Sequence, residues 1–201
     1  MATRSERMTF AKNVTKQIPA LLTEFCERVD RGFIKIDMAT PESRRIYETE
    51  WFTGIVWQPE LPCDRILISE LDTSRRHGTS WDDMIVRTSF KGESARKYRI
   101  RVYPYSHHNL KGITNTILHE VAHAIVANLW SLYYDDQDIK PVERTKRKSY
   151  FNSLSNVSNY EHSGRGHHED WFNIFMQLLH FGEGWLKANG VIPNSYADYI
   201  G

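Results

Sequence analysis

Two histidines and a glutamate, in the run His119-Glu120-Val121-Ala122-His123, carry the plainest chemistry in this chain. On a helix, residues four apart are separated by about 400°, so their side chains point almost the same way, about 6 Å apart along the axis. Imidazoles so placed can grip one Zn²⁺. Glu120 then stands beside them, where it can take a proton from a water the metal activates. Bound zinc brings the pKa of such a water to about 7, within reach of neutral pH. From the chain's 9 histidines and its glutamate content, roughly 0.03 matches to this motif are expected by chance. The plainer reading is a surface helix with ordinary His and Glu. Against it stand Leu118, Val121, Ala122, Ala124, Ile125, Val126 and Ala127, which make this turn apolar. Polar groups set in a core helix without a partner or a task are costly.

The elements that must position this trio follow from periodicity. Residues 112–134 read as the motif helix, with Ile113, Ile117, Val121 and Ile125 near one face. Residues 98–103 alternate, Ile100 and Val102 against Arg99, Arg101 and Tyr103, which predicts a half-buried strand ended by Pro104. A helix is predicted over 15–30, with Pro19 tolerated in its first turn and Gly32 ending it, then a short strand over 33–36. Thr40-Pro41 starts a further helix to about Phe52, and 65–69 reads as a strand. Trp51, Phe52 and Trp57 read as core or rim aromatics, and 58–63 as a loop. Residues 71–79 read as an exposed loop, and 80–83 as a short helix or turn. His107 and His108 read as exposed or capping groups. The acidic run 135–138 lacks the glycine and distal glutamate of a calcium loop and reads as solvated. Residues 152–166 are predicted to be a loop. Last comes an apolar-faced helix over 169–180, closed by Gly182 and Gly184, with a tail of Ile192, Tyr196 and Tyr199 that packs back.

A catalytic zinc takes three protein ligands and keeps one open position. The metzincin spacing would put the third histidine at position 129 and a glycine at 126, where Leu129 and Val126 stand, so that class is excluded. Downstream, Gly166-His167-His168-Glu169-Asp170-Trp171 opens the last strong helix. His167, His168 and Glu169 compete within one turn for the third place, and Glu143 is a further carboxylate candidate. Neighbouring helical residues diverge by about 100°, so at most one of the two histidines can face His119 and His123.

With these residues in view, the chain resembles the SprT-like metallopeptidases, the group that includes the Spartan-related proteases of DNA–protein crosslinks. Their pattern is H-E-x-x-H followed by G-H-G-x-x-[FW]. The first part is complete from His119 to His123; the second matches from Gly166 to Trp171, except that His168 stands where the family has glycine. The likeness covers roughly residues 99–179. It implies an α+β, single zincin-like domain over residues 1–201, a small sheet packed on the motif helix and on a second, ligand-bearing helix. It also implies one Zn²⁺ per chain held by His119, His123 and His167, Glu120 as general base, Trp171 beneath the site, and a protein or peptide substrate. His168 would face the cleft rim. Many members add a C-terminal zinc ribbon built from cysteines; this chain has no cysteine after Cys63.

Composition sets the outer bounds. Forty per cent apolar and 25% charged residues are ordinary globular usage. No run approaches the roughly 18 apolar residues of a membrane span, and residues 1–10 lack the apolar core of a secretory signal. Cys26 and Cys63 are two isolated cysteines, read as free thiols in a reducing cytoplasm. A net charge of +1 leaves nucleic-acid contact to local patches. One such patch holds Arg87, Lys91, Arg96, Lys97, Arg99 and Arg101, with Tyr98, Tyr103 and Tyr105 interleaved; Arg144 to Lys148 adds more. Cations beside aromatics suit a single strand, so DNA contact through Arg96, Lys97, Arg99 and Arg101 is an expectation; a solvated strand face is its plain alternative. Substrate is expected to lie extended along an edge strand near residues 98–103. Two readings compete with the SprT-like peptidase: a gluzincin-type peptidase with Glu169 or Glu143 as third ligand, and a non-catalytic, zinc-stabilised module that binds nucleic acid or protein.

Overall fold

The structure, a computed structural model, describes residues 2–37, 66–68, 78–82, 98–136 and 169–200. Its elements are α1 (Arg4–Asp30), β1 (Ile66–Ile68), β2 (Gly78–Asp82), β3 (Tyr98–Val102), a 3₁₀ turn (Pro104–Ser106), α2 (Leu110–Asp136), α3 (Glu169–Ala188) and α4 (Tyr196–Ile200).

Helix α1 begins eleven residues earlier than its apolar period alone suggests. The cause is local. Thr3 Oγ1 accepts the Glu6 amide at 3.2 Å, and a Glu6 carboxylate oxygen accepts the Thr3 amide at 2.6 Å. This reciprocal capping box satisfies two amides that the first turn leaves open. Pro19 therefore lies in the helix interior and not in the first turn, where it removes one backbone hydrogen bond. Burial on both sides, at Val14, Ile18, Leu21, Leu22 and Phe25, holds the helix through that break. Gly32 ends it at a φ of 73°, its amide donating to Val29 and the Phe33 amide to Arg28. These two bonds close the last turn, as a left-handed glycine allows. They also engage the backbone of residues 33–34, since Ile34 donates to Arg28 as well. The strand expected over 33–36 does not form.

The sheet has the order β1-β3-β2. β1 runs parallel to β3, with Ile66 opposite Ile100 and Ile68 opposite Val102. β2 runs antiparallel, with Gly78 opposite Val102 and Asp82 opposite Tyr98. Residues 78–82, expected as loop end and helical turn, are a strand that β3 pairs with; their own sequence, Gly-Thr-Ser-Trp-Asp, mixes strand-favouring Thr79 and Trp81 with strand-disfavouring Gly78 and Asp82. Among the described residues β3 is thus the middle strand, paired with β2 over residues 98–102 and with β1 over residues 100–102. Ile100 and Val102 turn fully buried toward the core, and Arg101 turns to the other face.

Helix α2 packs on β2 and β3 on one side and on α1, α3 and α4 on others. One core joins Ile18, Leu21 and Phe25 of α1 to Ile113, Ile117, Val121 and Ile125 of α2 and Ile174 and Leu178 of α3. α3 runs on through Gly182 and Gly184, which were expected to close it. At Gly182 a Cβ would stand 3.0 Å from Leu118 Cδ1, so the missing side chain lets the two helices approach closely. The helix stops at Gly190, with a φ of 67° and the same pair of capping bonds as α1, from Gly190 to Lys187 and from Val191 to Leu186. The tail then folds back: Ile192 and Tyr199 are buried, and the Tyr199 ring lies 6.4 Å from Phe10. The helix expected over 40–52, Trp51, Phe52, Trp57, Cys63 and the loops expected over 58–63 and 152–166 lie outside the described residues.

Candidate metal centre

Helix α2 starts where Asn109 supplies its side chain: Oδ1 accepts the Gly112 amide at 2.8 Å. Gly112 is required there. A Cβ would stand 2.9 Å from Nδ1 of His107, which folds over this first turn. His107 is 6% exposed, so it is buried and not one of the solvent-facing groups expected; His108 is exposed. Two turns on, the helix delivers its polar trio among fully buried Ile117, Leu118, Val121, Ala122 and Ile125.

His119 and His123 point the same way. Their Nε2 atoms are 3.3 Å apart and their rings cross at 73° with centroids at 4.9 Å. Two nitrogens on one tetrahedral zinc, each at 2.0–2.1 Å, stand about 3.3–3.4 Å apart. The separation is at the long end for a hydrogen bond between imidazoles, and it matches the bite of a single metal. The donor set fits as well, since neutral imidazole nitrogen is a common zinc ligand. Glu120, between them in sequence, is buried at 5% exposure.

The third side of the pair is aromatic. Trp171, in the first turn of α3, lies nearly parallel to His123 at 5.1 Å and 26°, and meets His119 edge-on at 4.7 Å and 66°. Trp171 is 7% exposed. Phe175, one turn further, stacks on Trp171 at 5.0 Å and 14° and meets His119 at 5.5 Å and 74°. Phe175 was read in the sequence only as part of an apolar face. The signal was present: Trp171 and Phe175 share the four-residue spacing of His119 and His123, and two such spacings on packed helices can mate ring to ring.

Comparison with family models, with curated proteins and with solved structures gives no match.

Glu169, the first residue of α3, is exposed. His167, His168, Glu143, Arg87, Lys91, Arg96, Lys97 and the basic run 144–148 lie outside the described residues. Arg99 and Arg101 fall on β3, the middle strand, with Arg101 half-buried. Tyr103 is buried and gives no stacking face; Tyr105 is half-buried, with the Arg4 guanidinium 5.0 Å from its ring. Among the described residues no group of three or more His, Cys, Asp or Glu gathers as a metal cage, and no helix is long and apolar enough to cross a membrane.

Proposed function

We propose that this chain is a zinc-dependent endopeptidase with a zincin-like, SprT-like domain, carrying one zinc per chain. The observation that supports it most is the 3.3 Å separation of the His119 and His123 Nε2 atoms, with the buried Glu120 between them in sequence. His119 and His123 hold the metal, and His167, in the register of the resembled family, completes the protein ligands. When bound, zinc polarises the scissile carbonyl and lowers the pKa of water. Glu120 takes the proton of the attacking water and hands it to the leaving amine nitrogen, a general base and then a general acid. A purely structural zinc site has no use for such a glutamate. The peptide substrate lies extended along the sheet near residues 98–103, with β2, an edge among the described residues and packed against α2, as the strand it pairs with. DNA-associated proteins are the proposed substrate class, with Arg96, Lys97, Arg99 and Arg101 as the nucleic-acid contact.

The test is digestion of a DNA-bound basic protein, with and without single-stranded DNA, by wild type and by Glu120→Gln. The variant is expected to keep its fold and its zinc and to lose cleavage by about 100-fold or more, the worth of a positioned base. Equal cleavage by both proteins contradicts the mechanism. Faster wild-type cleavage with single-stranded DNA supports the nucleic-acid contact, and equal rates argue against it.

A further inference from the structure

Phe175, one turn along α3 from Trp171, also faces the motif. His119 makes ring contacts with His123 at 4.9 Å, Trp171 at 4.7 Å and Phe175 at 5.5 Å, each crossing its plane at 66° to 74°. Trp171 and Phe175 are themselves within 14° of parallel. His119 thus stands at a steep angle to two stacked rings on the neighbouring helix. Edge-to-face contact is the arrangement aromatic quadrupoles favour, because the positive ring edge meets the negative face. It restricts rotation of the imidazole about its outer side-chain bond, a torsion that is otherwise broad. That torsion sets where Nε2 points, and so sets the bite.

We propose that Phe175 is a positioning residue: with Trp171 it fixes the imidazole plane of His119 before metal arrives, so that the two Nε2 atoms already stand at the tetrahedral separation. The inference rests on the two-histidine metal reading. Phe175 touches a ligand and not the metal, the substrate or the reacting atoms. Its contribution is to preorganise the site, as the partners that orient metal ligands commonly do. The ring itself matters, since an aliphatic side chain of similar bulk fills the space without supplying an aromatic quadrupole. Phe175→Leu therefore removes the orientation and keeps most of the packing, whereas Phe175→Tyr keeps both.

The experiment titrates metal-free wild type, Phe175→Leu and Phe175→Tyr with Zn²⁺ against a chromophoric chelator, and records the thermal melt of each. The expected result is a fall in zinc affinity of about tenfold in Phe175→Leu, with wild-type affinity in Phe175→Tyr. Equal affinity in wild type and Phe175→Leu overturns the inference and leaves the metal reading standing. A wild type that binds no zinc overturns both. If Phe175→Leu does not fold, NMR of the wild type decides. Contacts between the His119 ring protons and the Phe175 ring, present both before and after zinc is added, support the inference; their absence in the metal-free protein overturns it.

Discussion

Helices α1 and α2 are each 27 residues long and pack against one another, yet they place polar residues in opposite ways. α1 sends its charges outward. Its glutamates and lysines reach solvent, and the exposed Glu24–Arg28 pair at 2.7 Å is a within-helix contact. Arg28, and then the indole N–H of Trp185, hold the Glu24 carboxyl below the usual carboxylate range. Its one cysteine is inert: burial, with Asp30 adding, pushes the Cys26 thiol up to about 12. α2 turns this around. Between Lys111 and Asp135 its only carboxylate is Glu120, and that one is buried. The two histidines flanking Glu120 are packed under aromatic rings from α3. Burying a carboxylate costs several kcal/mol unless a partner or a metal compensates it. The contrast is between a helix that turns its charges to solvent and one that carries a carboxylate inside.

Two substitutions sharpen that contrast. The larger effect belongs to α2. Ile117 is fully buried beneath the motif, and Ile117→Ala should destabilise the protein by about 2–5 kcal/mol through lost transfer energy and the cavity left behind. Chemical denaturation measures it; a change below about 0.5 kcal/mol would mean that this face is not core. The smaller effect belongs to α1. Thr3→Ala removes the cap acceptor and should cost about 1 kcal/mol. A loss of helical signal confined to the first turns, with zinc binding unchanged, is the expected pattern. Zinc affinity falling along with the cap would mean that the two helices are not the separate devices described.

What the sequence made legible follows the same line. The motif helix was readable because Ile113, Ile117, Val121 and Ile125 keep the helical period and His119 and His123 share it. The alternation about Ile100 and Val102 was readable for the same reason. The start of α1 was written in Thr3-Arg4-Ser5-Glu6, a local signal that a search for apolar periodicity passes over. β2 was not legible, because its own residues mix strand-favouring and strand-disfavouring types, and its strand pairs with β3. Gly182 misled as a helix end because its role is tertiary, a close approach to Leu118. His107 misled because a residue beside a turn is ordinarily exposed, and here the glycine at 112 opens a place for it. Within the site, the pairing of His119 with His123 follows from spacing, whereas the Trp171 and Phe175 platform depends on how α2 and α3 meet.

The central claim is that His119 and His123 hold a metal, and zinc content tests it most directly. The protein is purified free of metal, supplied with zinc, freed of excess and measured by elemental analysis, alongside His123→Ala. The account predicts about one zinc per wild-type chain, and much less in His123→Ala under the same conditions, since one of the paired ligands is gone. A wild type that retains no zinc, or a His123→Ala that retains as much as wild type, contradicts it.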